Sequence, residues 1–212
     1  MIALTVSDVS EPNSAVLRIS ELSKRMRTYG APDAICVRND SFAEEPFTAM
    51  VELVKNLWTG PIVLESDNPA ILSRALVPVM DRRPILIGAT GDNIEAFSIA
   101  SGIFHCPLCL RADDLEGLMD LSAKAQSLGV KEILLEPVMR NMKQCLEICT
   151  DIKRLSEVMP EAAHPVLVRT WSGEYAMTMA AVTLLVDDAI IVADDLDEDS
   201  CETLHALVSS IR

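Results

Sequence analysis

No stretch of this 212-residue chain is apolar over the about 18 residues that a membrane-spanning helix needs, and its first residues lack the basic segment and apolar core of a secretory leader. A basic stripe is missing as well. Eighteen lysines and arginines stand against 32 aspartates and glutamates, a formal charge of -14, whereas a duplex binder needs clustered cations to displace counterions. Glycine-rich phosphate loops, dinucleotide fingerprints and the Gly-x-Ser-x-Gly elbow are all absent, which removes nucleotide-dependent and serine-hydrolase chemistry. These absences predict a cytoplasmic protein that meets neither membrane nor nucleic acid.

Histidine is scarce, and His105, His164 and His205 form no metal spacing. The six cysteines, Cys36, Cys106, Cys109, Cys145, Cys149 and Cys201, scatter through predicted strands and helices, where free thiols behave as small hydrophobes in a reducing compartment. No disulfides are expected. Cys106-Pro107-Leu108-Cys109 and the Cys145/Cys149 pair invite a four-thiolate metal reading. Residues three apart on a strand point to opposite faces, however, so the first pair could not chelate one ion without a bend. Core packing is expected there, and no metal.

What the chain does have is repetition. Eight apolar, strand-like runs recur at intervals of roughly 23 to 33 residues, and nearly every one stops on polar or charged residues. They are Ile2–Val6, Ala34–Val37, Pro61–Leu64, Pro84–Ala89, Pro107–Leu110, Glu132–Leu135, Pro165–Val168 and Ala189–Ala193. Amphipathic stretches fill the intervals. Ala15, Leu17, Ile19, Leu22 and Met26 face inward in the first, and Phe47, Met50, Val51, Val54 and Leu57 in the second, around Glu45–Trp58. Later helices are expected from about Ala70 to Met80, after Asp92-Asn93, from Asp113-Asp114 to Gly129, over Arg140–Met159, Glu174–Leu185 and Ser200–Ile211. Strict alternation with Val/Ile/Leu-rich strands predicts a parallel sheet covered by helices, and eight units close it into a single (β/α)8 TIM barrel over residues 1–212. The strand at Cys106–Leu110, flanked by proline and cysteine, is the weakest link in that closure.

A barrel places its chemistry at the carboxyl ends of its strands. Thr90, Asp92 and Asn93 follow the fourth strand and together offer a hydroxyl, a carboxylate and a carboxamide. They can recognise a polar heterocycle, or they can simply cap the next helix. Asp8, Arg38, Asp40, Glu65, Asp67, Arg111, Asp113, Glu136, Arg169, Asp194 and Asp195 complete a charged rim. Two readings of it stand open: carboxylates tuned for proton transfer, or a lattice of ion pairs filling the mouth. Trp171 is the aromatic expected at the rim, either stacking on a flat ligand or filling the barrel top.

The segment Arg82-Arg83-Pro84-Ile85-Leu86-Ile87-Gly88-Ala89-Thr90-Gly91-Asp92-Asn93 resembles the Arg-Pro-Leu-Leu-Tyr-Ala-Ala-Thr-x-Asp-Asn stretch of the barrel domain in the large (gamma) subunit of the corrinoid iron-sulfur protein, of the acetyl-CoA decarbonylase/synthase (CO dehydrogenase/acetyl-CoA synthase) family. Ile2–Asp8, His105-Cys106-Pro107-Leu108 and Gly129–Pro137 are similar to that domain's first strand, its Cys-Pro-Leu strand and its Gly-Val-Lys-Asp-Leu-Val-Leu-Asp-Pro segment, with Glu136 in place of an aspartate. The resemblance covers about the first 140 residues. Arg169–Gly173 and Asp194–Asp197 depart from the family's rim.

The resemblance implies one-carbon metabolism: a barrel facing a corrinoid (cobalamin) that a partner largely holds, with Thr90, Asp92 and Asn93 on the face that meets it; Asp67, Glu136, Arg169 and Trp171, read from their place at the rim, complete the expected cofactor-binding set. The family's four-cysteine iron-sulfur motif and its corrinoid domain lie outside these residues, so no iron-sulfur cluster is expected and the corrinoid would be shared. The expected role is an accessory module in a hetero- or homo-oligomer with a corrinoid protein or other acetyl-CoA synthase subunits. A pterin-dependent corrinoid methyltransferase and a non-catalytic assembly scaffold are the alternatives.

Overall fold

The computed structural model describes residues 1–26, 30–170, 175–186 and 189–211. Eight strands, β1 (Ile2–Ser7), β2 (Ala34–Arg38), β3 (Ile62–Glu65), β4 (Ile85–Ala89), β5 (Leu108–Ala112), β6 (Ile133–Pro137), β7 (Leu167–Arg169) and β8 (Ile190–Ala193), alternate with eight helices. The helices are α1 (Pro12–Arg25), α2 (Glu44–Leu57), α3 (Pro69–Leu76), α4 (Ile94–Phe104), α5 (Leu115–Ser127), α6 (Met142–Leu155), α7 (Ala176–Val186) and α8 (Glu198–Ile211). The strands are parallel in the order β6-β5-β4-β3-β2-β1-β8-β7.

The ring is nearly closed. One parallel bridge, Leu135 to Val166, joins β6 to β7, with the Leu135 amide donating to Pro165 O at 2.9 Å. The next amide of β6 that would face β7 belongs to Pro137, which has no N–H, so the ladder stops there. The seam therefore lies between β6 and β7. The strand at Leu108, expected to be the weak one, pairs on both sides.

Both faces of the strands are buried, which is why the runs read as continuous rather than alternating. Ala3, Ala34, Cys36, Val63, Ile87, Cys109, Leu134, Leu167 and Val192 fill the barrel interior. Leu4, Ile35, Val37, Ile62, Leu64, Leu86, Leu108 and Leu110 pack outward against the helices. Cys106 belongs to the outer layer and Cys109 to the interior, so the pleat separates those two thiols as expected.

Three helix readings need correction. On α1 the buried stripe is Ala15, Ile19 and Leu22, while Leu17 is 71% exposed. Leu17 lies two positions from both Ala15 and Ile19, which places it on the opposite side of a 3.6-residue turn. Helix α3 ends at Leu76 and Val77–Arg82 tightens into a 3-10 helix, because Pro78 has no N–H to continue the α ladder. Helix α6 is shorter than Arg140–Met159: Asn141 caps it, its Oδ1 accepting from Gln144 N at 2.9 Å, and Pro160 opens a separate short turn. Among the described residues no helix is long and apolar enough to cross a membrane.

Candidate functional site at the barrel mouth

Several strands run one or two residues past the apolar stretch that announces them, so that β2 ends on Arg38, β3 on Glu65 and β7 on Arg169, while β5 includes Arg111 and β6 includes Glu136. Cys36, Val63, Cys109, Leu134 and Leu167 face the barrel interior, and the residue two positions on from each must face the same way. The pleat thus turns all five charged side chains into the mouth.

There they neutralise one another. The Arg169 guanidinium donates from Nη1 to Glu65 Oε2 at 2.9 Å and from Nε to Glu136 Oε1 at 3.2 Å. The Arg111 Nη2 donates to Glu136 Oε1 at 3.1 Å and to Glu65 Oε1 at 3.4 Å. Two carboxylates and two guanidinia form a ring in which every acid meets both bases. Arg169 Nη2 also lies 2.9 Å from Glu65 Oε1, off the line of a hydrogen bond. Burial acts to lower the Arg169 pKa, but Glu136 and Glu65 outweigh it and hold the group above its ordinary value; Arg111 is raised by the same balance, chiefly through Glu136.

Beneath the ring, the Cys36 and Cys109 thiols donate to Glu65 Oε2 and Glu136 Oε2, each at 3.8 Å. Burial first, and then the adjacent carboxylate, pushes both thiols well above their ordinary pKa, so they stay protonated donors and not nucleophiles at neutral pH. A second cluster adjoins the ring: Arg38 Nε bonds Asp40 Oδ1 at 2.9 Å, Arg38 Nη1 bonds Asp194 Oδ1 at 2.7 Å, and Ser7 Oγ donates to Asp40. Above these groups opens a cavity of about 530 Å³, with Pro137, Val138 and Met139 along its β6 side. The acids and bases of the mouth are thus linked in an ion-pair lattice.

In the loop after β4, the expected helix cap does not form. Asn93 stands at the position before α4, yet its side chain caps no helix amide. It turns back instead: Oδ1 accepts from Thr90 N at 2.7 Å, while Nδ2 donates to Gly88 O at 3.0 Å and to Asp67 O at 3.2 Å. Both ends of the carboxamide are spent on backbone, so Asn93 latches the β3 and β4 loops together. Asn93→Ala should lose all three bonds at a cost of about 1–3 kcal/mol. Amide hydrogen exchange at Thr90 checks this, with faster exchange expected in the variant and an unchanged rate counting against the latch.

The predicted site residues therefore divide. Glu136 and Arg169 meet in the mouth, and Asp67 sits above them, 67% exposed and 3.8 Å from Arg111. Thr90 is half-buried and Asp92 exposed on the outer rim. Trp171 lies outside the described residues. Glu65 and Arg111, which the sequence reading placed on the rim without assigning them to the site, prove to be half of the lattice. Their spacing of two from an inward apolar residue was the available signal.

Comparison with known proteins places this geometry among relatives. Residues 1–200 match the sequence profile of the family described as CO dehydrogenase/acetyl-CoA synthase delta subunit. The corrinoid/iron-sulfur protein large subunit of Moorella thermoacetica is 34% identical over 159 residues, 73% of this chain and 36% of that protein. The acetyl-CoA decarbonylase/synthase complex subunit gamma of Methanothermobacter thermautotrophicus is 37% identical over 106 residues, 50% of this chain and 23% of that one. The matched stretch is thus little more than a third of those relatives at most. Among solved structures, dihydropteroate synthase of Thermus thermophilus, in complex with 6HMPPP, superposes with a TM-score of 0.70 at 15% identity over 99% of this chain and 92% of its own. The Xanthomonas albilineans dihydropteroate synthase gives 0.68 at 12% over 100% and 92%. These two likenesses establish the TIM-barrel fold.

Proposed function

Given that the chain belongs to the CO dehydrogenase/acetyl-CoA synthase delta subunit family, we propose that residues 1–212 act as one barrel module that forms a wall of a corrinoid site and supports methyl transfer without performing it. The corrinoid is held mainly by a partner, a corrinoid protein or another subunit of the acetyl-CoA pathway. When bound, its cobalt carries the methyl group. This chain's part is to meet the macrocycle with the rim of loops after β3 and β4. The exposed carboxylates of Asp67 and Asp92 are suited to accept N–H bonds from neutral carboxamide arms, and the Thr90 hydroxyl can give or take one.

The observation that carries the accessory reading is the saturation of the mouth. A general base must be free to take a proton from substrate. Glu65 and Glu136 are 7% and 4% exposed, and each is bonded to both Arg111 and Arg169. Asn93, the residue best placed to grip a heterocycle, has its carboxamide engaged on backbone. Neither arrangement favours a pterin-dependent methyltransferase.

Titration with methylcobalamin, alone and in the presence of a corrinoid protein, tests the proposal. A change in the cobalt absorption spectrum is expected in at least one case, and no change in either removes the idea. An assay combining a methyl pterin with cob(I)alamin should show no turnover, and measurable turnover would move the protein into the enzyme class.

A further inference from the structure

The loops after β1 to β4 are tied to one another along one side of the rim. Asp8, 7% exposed, accepts from Ser41 N at 2.9 Å on one oxygen and from Ser41 Oγ at 2.6 Å on the other. Asn39 Nδ2 donates to Ser66 Oγ at 2.8 Å, and Asn93 Nδ2 reaches Asp67 O. A continuous arc results, and its two ends differ in chemistry. Val9 and Phe42 stand at one end, 62% and 76% exposed. Asp67 and Asp92 stand at the other, and Asp92 has no hydrogen bond or ion pair among the described residues.

Phe42 carries two costs that the barrel does not explain. Its φ of 54° lies in the left-handed region, where an aromatic side chain is strained. Its ring is in water. Among the described residues the other non-glycine positions with positive φ, Arg83 and His105, are polar and close helical segments, their amides bonding Met80 O and Ser101 O. Phe42 closes no helix. It is pinned from both sides, since Ser41 Oγ also accepts from Ala43 N at 3.1 Å and Asp8 fixes Ser41. Glycine would serve that backbone better. The clamp holds the ring up into solvent on a strained backbone, and the cost of that exposure falls once something covers the ring.

We propose that Phe42, with Val9, is the apolar anchor on which the arc receives the edge of the corrinoid macrocycle. This rests on the corrinoid reading above. A corrinoid is flat, studded with methyl groups and bordered by neutral carboxamide arms, so its edge asks for apolar contact together with hydrogen-bond acceptors. The arc offers Phe42 and Val9 for the first and the Asp67 and Asp92 carboxylates for the second.

The test follows methyl and aromatic NMR signals of the full chain during titration with methylcobalamin, beside thermal unfolding of each variant. Phe42 ring and Val9 methyl resonances should shift on binding. Phe42→Gly should unfold no earlier than the parent and yet bind about ten-fold more weakly, while Phe42→Tyr should bind like the parent. If Phe42→Gly binds with the parent's affinity, or if it unfolds substantially earlier, the anchor is wrong and the corrinoid reading stands. If the parent shows no shift with millimolar methylcobalamin, either alone or beside a corrinoid protein, anchor and reading fall together.

Discussion

Gly88→Ala is expected to destabilise the protein by more than about 4 kcal/mol, into the range where single substitutions expose a named structural fault. Gly88 lies in β4 with φ 128°, and a Cβ there would come within 2.1 Å of Ser66 O and 2.8 Å of Ser66 C. Both are backbone atoms of the neighbouring loop, so no flexible side chain can yield. The strain of that φ in an L-residue adds to the clash. At the same point the register against β5 slips, from Ile87 opposite Cys109 to Ala89 opposite Leu110. Gly88 O, moreover, is one of the acceptors of the Asn93 latch. Alanine must therefore separate β3 from β4 and release the loop carrying Thr90 and Asp92. For a chain of this size the loss corresponds to a fall in Tm of roughly 8 °C or more. Gly91→Ala is the control, because its Cβ would meet nothing within 4 Å and should leave Tm nearly unchanged. A Gly88→Ala protein melting within about 2 °C of the parent, less than about 1 kcal/mol, would show that the strands do not approach so closely.

Arg169→Met carries the second large effect. The substitution leaves Glu65 and Glu136, with side chains 10% and 5% exposed, to share Arg111. Breaking a buried pair by removing one partner costs about 3–5 kcal/mol, because the charge left behind has lost both water and its counter-ion. The lower end is expected here, since the Arg169 side chain keeps 28% of its surface in solvent and is partly screened. Adding Glu136→Gln should restore much of the loss, because the orphaned carboxylate disappears with its partner. Urea unfolding midpoints at constant m value measure both steps. A loss under about 1 kcal/mol for Arg169→Met, or a double variant no better than the single one, would mean that water already shares the mouth.

The charged ends of the strands show where sequence reading falters. Each run looks finished at its first charged residue, since Arg38, Glu65, Arg111, Glu136 and Arg169 resemble the polar start of a loop. In the structure they prolong the strands, because partners across the mouth offset the burial. Glu65 and Arg169 are 104 positions apart, and nothing local in either neighbourhood names the other. The same limit applies to Asn93. Its place before a helix suggests a cap, but the carboxamide turns back to Thr90 N and Gly88 O beside it, and the approach of the β3 loop adds Asp67 O as the partner that makes it a latch. Phe42 is harder still, for a left-handed aromatic runs against its own propensity and is imposed by Asp8 from another loop.

The sequence by itself determined the parallel (β/α)8 plan, the place of every strand and most helix limits, and the end of the barrel that carries the charged rim. Those properties follow from periodicity, proline and glycine, which act over a few residues and are written locally. Only the tertiary structure decided which acid meets which base, that the mouth is a neutral lattice, that the ring is weakest between β6 and β7, and that Asn93 is a latch. Such outcomes depend on side chains converging from strands far apart in the chain, where burial makes each charge choose a partner that its own segment cannot specify.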